Sequence, residues 1–588
     1  MDTEQIKRKN YSAASRLLRE YEIPKVVSLQ RVIRSLSPFE RVVFWMLTTA
    51  LVLSTFAVFT EVNREATTQV PVQGGVIREG VIGAPRFINP LLALSDTDRD
   101  LTTLIYAGLT RPAPDGTLIP DVAERYTISE DGTEYNFVLR DDARFHDGVP
   151  LTADDVVFTV QMAQDASIKS PRRADWDGVK VEKINDREVR FVLDRPYAPF
   201  LENTTMGILP RHIWRNVSPQ EFAFSNFNTQ PVGSGPFKLK QISYNSSGIP
   251  KSYDLRPFGS YTLGRPYINK FVMNFYANEN ELVNAYTNGE ISSLSAVSSA
   301  ILDKSVSDSS SLLRVAFPRI FAIFFNQNKS RLFADKEVRR ALDVLIDKER
   351  IVQEVLSGYG TIIDSPIPPG TVTGQTVEAS NFLSDESRRA AAQEILTDAG
   401  WTFDEELGMW TNGTQPLTFS IATANTPELK RAAQLAATIW TEAGIPVKVN
   451  VFETGELNQN VIRPRDYEAL LFGEVVGRGL DLFAFWHSSQ KDDPGLNIAI
   501  YTNSTVDDIL AKARTVSDRN ERDELYLKFE EEIQKDVPAI FLYAPDFLYV
   551  IPKYLRGVNI GLVETKSERF SGAYLWHTQT ERVWYFFQ

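Results

Sequence analysis

Hydrophobic and polar positions repeat at three different periods along this chain. From Val42 to Thr60 there is no polar face at all: nineteen residues carry no charge. At 1.5 Å per residue that length crosses the ~30 Å hydrocarbon layer of a bilayer, and it predicts a membrane-spanning helix. Further on, Val338, Ala341, Leu342 and Leu345 recur at i, i+3, i+4 and i+7, the one-sided pattern of a helix against a core. Leu429, Ala433, Ala436 and Trp440 repeat it behind Pro427, which suits a first helical turn. Between such helices the period drops to two: Ile445, Val447, Val449 and Val451 alternate with Pro446, Lys448 and Asn450. The order β-α-β-α-β predicts an α/β lobe.

Punctuation agrees with the periods. Thr152 with Asp155, and Asn278 with Glu281, read as N-caps with an acidic residue three positions on. Asp347 opens a helix that Gly358 closes. Helix 387–399 stops at Gly400, and the helix behind Pro427 stops at Gly444. At 588 residues the chain exceeds one core, since domains run to about 250 residues.

Charge is divided unevenly. Residues 1–60 carry +4 and the remainder −17, within a total of −13. The basic leader ahead of the span predicts that residues 1–41 stay in the cytoplasm and the body lies outside, periplasmic or at the cell surface. The leader is long for a secretory signal, so 42–60 is read as an uncleaved signal anchor followed by a polar tether, 61–74. The acidic body disfavours nucleic acid as a partner. There is no cysteine, which excludes disulfides, thiolate nucleophiles and a lipid-anchored terminus. His146, His212, His487 and His577 are far apart, and no metal site or cofactor is expected.

Several segments, taken in order, carry a resemblance. They are the stretch from Gly83 to Val160 with its Pro-Asn-Pro loop and FHDG turn, GSGPFKL at 233–239, and the block 326–360 beginning NQNKSRLF. ILTDAGW at 395–401, FWHSSQ at 485–490 and the block 501–543 ending PAIFLY complete the series. The body thereby resembles the extracellular solute-binding proteins of family 5, the peptide- and nickel-type substrate-binding proteins of ABC transporters. The resemblance implies a two-lobed, type II periplasmic-binding-protein-like α/β fold with an extra subdomain in lobe one. It places lobe one at 75–316, with the subdomain about 119–229 and a return at 538–588, and lobe two at 317–537. Hinges near 316 and 538 follow, as does a monomer whose ligand is enclosed between the lobes and passed to ABC permease subunits. Peptide is the expected ligand, and four scattered histidines weigh against nickel.

A bound peptide's amine needs a carboxylate, because a buried unpaired ammonium is costly. In peptide-binding relatives an Asp follows a Trp by three positions in the segment matching 471–486. Here Gly473 and Val476 occupy those positions. Glu474 and Asp481 are the substitutes in that segment, against readings as a solvated strand end and a helix cap. Trp486 stacks on ligand or packs in a core. Asn326 binds a ligand backbone or caps a turn. Tyr543 ends the strand AIFLY near the return crossing, and Trp176 sits on the subdomain rim. These six are the candidate ligand residues.

Catalysis finds no support. FHDG at 145–148 reads as an Asp-Gly turn rather than a His-Asp pair. Gly233-Ser234-Gly235 precedes Pro236 and lacks the rest of a nucleophile elbow. No P-loop, GxGxxG or HExxH occurs, and Gly477-Arg478-Gly479 is too short to count. The expectation is a membrane-tethered solute receptor. The alternatives are a non-peptide solute, or a binding module of this fold in signalling or assembly, acting through its leader, where YSAASRLLREY has amphipathic spacing.

Overall fold

A computed structural model describes residues 33–295, 302, 308–372, 383–516 and 518–587; most of the leader, including YSAASRLLREY, lies outside them. The chain forms two compact units, one of residues 1–71 with 580–588 and one of 72–579.

In the first unit the apolar run becomes one helix, Pro38–Glu65, with no buried residue. It extends past 42–60 at both ends because its caps lie outside the apolar stretch. The Ser37 N–H donates to Glu40 Oε2 at 2.8 Å, and Pro38 occupies the first turn. The helix is long and apolar enough to cross a membrane. The expected tether 61–74 is not irregular: 61–65 continue the helix and Thr67–Val72 form a strand paired with Gln579–Trp584. The run Thr-Thr-Gln-Val-Pro-Val is rich in β-branched residues, which favour a pleated strand over a coil. The Tyr585 N–H donates to the Ala66 carbonyl at 3.3 Å, so the tail of the chain meets the helix end.

The second unit is built on a twelve-stranded sheet. Its central member, Ala539–Pro552, is fourteen residues long. One half pairs with Arg319–Phe325 and the other with Ser310–Ala316, all antiparallel. Ala539 to Ala544 pack in a core that otherwise spans residues 320–533. Phe547, Tyr549 and Ile551 pack in a second core of residues 77–317 and 555–576. The passage between cores therefore falls at 317–319 and 545–546, later on the return than the expected 538. AIFLY is a strand of the 320–544 core before the chain leaves it.

The 320–544 core has Val447–Phe452, Phe419–Ala424 and Ala469–Val475 as parallel neighbours, with helices Lys336–Leu345 and Pro427–Glu442 packed against them. All of Val338, Ala341, Leu342, Leu345, Leu429, Ala433, Ala436 and Trp440 are buried. The other core has Gly74–Ile82 and Ile268–Tyr276 in parallel. A separate four-stranded sheet of residues 123–193 with helix Ala153–Gln164 shares its apolar residues. Thr152 and Asp155 cap that helix, the Thr152 N–H donating to Asp155 Oδ2 at 2.9 Å.

Candidate functional site

A cavity of about 550 Å³ lies between the two cores, within the ~300–1,000 Å³ of small-ligand sites. Helix Asp96–Ile105 forms one wall. The GSGPF loop packs against its end: the Gly235 N–H donates to the Ile105 carbonyl at 2.8 Å. Any Cβ at Gly233 would fall 2.1 Å from that oxygen, which is why the loop needs glycine there. The contact holds Tyr106 and Pro236 on the wall. The hydroxyls of Thr102 and Tyr106, both lining the cavity, are buried and have no hydrogen-bond partner among the described residues. Burying unpaired polar groups is costly, so they are unmet demand for a bound ligand's amides or carbonyls.

The wall is acidic. Six carboxylates line it (Asp121, Asp175, Glu202, Asp481, Glu564, Glu568) against three guanidiniums (Arg99, Arg111, Arg172). Asp121 accepts from the Tyr261 hydroxyl at 3.0 Å, and burial pushes its carboxyl up to about 6 although Arg111 is near. One loop of the 320–544 core reaches across. Arg478 donates to Glu202 at 3.0 Å and to Glu568, and lies 4.0 Å from Glu564. One cation thus faces three carboxylates. Burial pushes Glu202 and Glu568 up to about 7; Arg478 opposes the shift and the neighbouring carboxylates add to it. A second bridge joins the cores where the Ala198 N–H donates to the Arg514 carbonyl at 2.9 Å.

Of the six residues singled out from sequence, the structure puts Asp481 on the cavity wall. Its carboxylate is already engaged, accepting from Arg514 at 2.7 and 2.6 Å and from the Tyr197 hydroxyl at 3.3 Å. The other five do not line the cavity. Glu474 is 3% exposed inside the 320–544 core, where burial holds its carboxyl well above the usual range. It is not a solvated strand end because its strand, Ala469–Val475, lies inside the sheet between Arg319–Phe325 and Phe419–Ala424. Trp486 is fully buried against Phe324 and Phe541. Tyr543 stacks on Phe321, with ring centroids 5.2 Å apart. Asn326 caps a turn, accepting from the Lys329 N–H at 3.0 Å and donating to the Arg465 carbonyl at 2.9 Å. Trp176 packs on Phe191 and Phe200 within the subdomain rather than on its rim. Gly473 has no room for a tryptophan: even a Cβ would lie 2.6 Å from the Phe321 ring. Val476 lines the cavity.

Sequence reasoning missed Arg478 and its carboxylates. The available signal was an arginine between two glycines. Gly477 has φ 73°, and a Cβ there would lie 2.8 Å from Glu564.

Comparison with known proteins agrees with this architecture. Residues 117–494 match the bacterial extracellular solute-binding proteins, family 5. The oligopeptide-binding protein AppA of Bacillus subtilis is 29% identical over 495 residues, covering 83% of this chain and 89% of its own. Its solved structure, in complex with a nonapeptide, superposes with a TM-score of 0.64 at 27% identity and covers 86% of this chain and 99% of that one. NikZ of Campylobacter jejuni, in complex with Ni(L-His), gives 0.65 at 25% identity, over 85% and 99%. The fold is the two-lobed type II periplasmic-binding-protein fold. By the length of the match and the fold it rests on, the chain belongs to family 5 of the bacterial extracellular solute-binding proteins.

Proposed function

We propose that this chain is a membrane-tethered receptor that encloses a peptide between its lobes and delivers it to an ABC importer. The family is one of substrate-binding proteins, not of enzymes. The observation that carries the reading is the cavity between the cores, whose buried Thr102 and Tyr106 hydroxyls lack partners among the described residues. Unpaired hydroxyls suit a ligand rich in amides. Oligopeptide-binding AppA supports a peptide by analogy. The lobes would move about the paired passages at 317–319 and 545–546, a hinge closure. Helix Pro38–Glu65 would anchor a monomeric body on the extracytoplasmic side.

The test is native mass spectrometry of the full chain purified from membranes in detergent. A set of co-purified short peptides of mixed sequence is expected. A single discrete non-peptide mass would retain the receptor and reject the peptide. An empty protein that also ignores a peptide library in thermal-shift assays would overturn the reading.

A further inference from the structure

The end of the chain carries an aromatic cluster that the body's function does not use. Trp584, Tyr585 and Phe586 are 39, 47 and 81% exposed. The Tyr585 and Phe586 rings lie 5.4 Å apart. Three adjacent aromatics left in water are unfavourable unless something covers them. Their position says what does. The strand Gln579–Trp584 pairs with Thr67–Val72, which begins one residue after the helix Pro38–Glu65. The Tyr585 N–H bonds to the Ala66 carbonyl, so the ribbon runs back toward the helix end. The charge-free stretch of that helix stops at Thr60, and Ala66 lies roughly 9 Å further along the axis. Headgroups extend about 5–8 Å beyond the hydrocarbon on each side. A ring projecting from a tail bonded to Ala66 is therefore within reach of the layer where Trp and Tyr are enriched.

We propose that residues 584–586 insert into the outer lipid–water interface of the membrane that helix Pro38–Glu65 crosses, a second attachment at the opposite end of the chain. This rests on the anchor reading above. The strands Thr67–Val72 and Gln579–Trp584 then form a clamped ribbon held at the bilayer.

The chain has no cysteine, so single sites can be spin-labelled. Leu53→Cys, Phe586→Cys and Ile128→Cys would be made in the full chain and reconstituted in phosphatidylcholine–phosphatidylglycerol vesicles. Collision with oxygen and with a water-soluble nickel chelate gives depth. Leu53→Cys should be immersed, and Ile128→Cys, at an exposed site, should be aqueous. Phe586→Cys should show nickel accessibility several-fold below Ile128→Cys while staying accessible to oxygen. If Phe586→Cys matches Ile128→Cys while Leu53→Cys is immersed, the tail proposal fails and the anchor stands. Shielding of Phe586→Cys from both reagents means protein covers it, a second copy included, and also overturns the proposal. An aqueous Leu53→Cys removes the anchor and this inference with it.

Discussion

Arg478 is the point at which closure of the cleft should be sensitive to pH. It pairs directly with Glu202 and Glu568 and lies 4.0 Å from Glu564. The first two side chains are 22 and 17% exposed, so solvent screens them little. Burial pushes both from 4.5 to about 7 where Arg478 meets them; with the lobes apart and the carboxyls in water they should return to the ordinary carboxylate range. A group that binds its proton more tightly when closed favours closure at low pH. That advantage is lost as pH rises from about 4.5 to about 7. One carboxyl moved that far corresponds to about 3 kcal/mol, or a few hundredfold in the closed-to-open ratio. Because the two share one arginine, we take one group's worth for the pair. Arg478→Gln leaves three carboxylates without their cation and should weaken closure by a further ~3 kcal/mol near neutral pH. Ile128 and Leu407 are exposed, one in each lobe; cysteines there, labelled for energy transfer, read the separation in ligand-free protein. The expected result is a closed fraction that falls between pH 5 and pH 8, with Arg478→Gln open at lower pH than the parent. A closed fraction that is flat over that range, or a variant that closes as fully as the parent, would refute the reasoning.

Glu474→Gln should be more stable than the parent near neutrality. The folded-state pKa is raised, so the parent loses stability as pH climbs above the ordinary carboxyl range, by about 1.4 kcal/mol per pH unit until the folded pKa is reached; urea midpoints of both proteins from pH 5 to 8 check it. His146 goes the other way. Burial pushes it from 6.5 down to about 4, so the parent should lose about 3 kcal/mol as pH falls across that window. His146→Gln should lack that loss in the same assay. Arg569 is wholly buried, donating to Asp100 at 2.6 Å and to Glu79 at 3.1 Å. Arg569→Gln strands two carboxylates and should cost about 3–5 kcal/mol, read as a lowered urea midpoint.

Helices were readable where one face is buried and a cap precedes it. Lys336–Leu345 shows its apolar stripe, and Asp347 caps the next helix with its carboxylate on the Arg350 N–H at 2.9 Å. Strand faces were harder. Around Glu474 the sequence reads Phe-Gly-Glu-Val, and nothing in that alternation tells which faces of the sheet helices will cover. The strand Ala539–Pro552 was read only as far as Tyr543, because Pro545 and Asp546 look like a break. The backbone passes through them because neighbours pair on either side, Thr361 with Ala544 and Ala316 with Asp546. The strand Thr67–Val72 is hidden for a related reason: its partner lies some five hundred residues away, beyond any local pattern. The carboxylates around Arg478 come from 202, 564 and 568, a grouping only the folded chain assembles.

The division of the body between its cores also orders its assembly. The 320–544 core uses one unbroken stretch of chain and closes as soon as that stretch has emerged. The other core begins 240 residues earlier, at Ile77, and still lacks Phe547, Tyr549, Phe570 and Trp576 when its neighbour is complete. A chain delivered across a membrane from its amino end must therefore keep the strand Gly74–Ile82 and the helix Asp96–Ile105 waiting, with apolar surface bare, until the last segment arrives. Contacts of such sequence separation form slowly, and half-built cores aggregate. Export as proposed above would then need something that shelters the first-made half, and a stop codon near residue 546 should cost that half its fold.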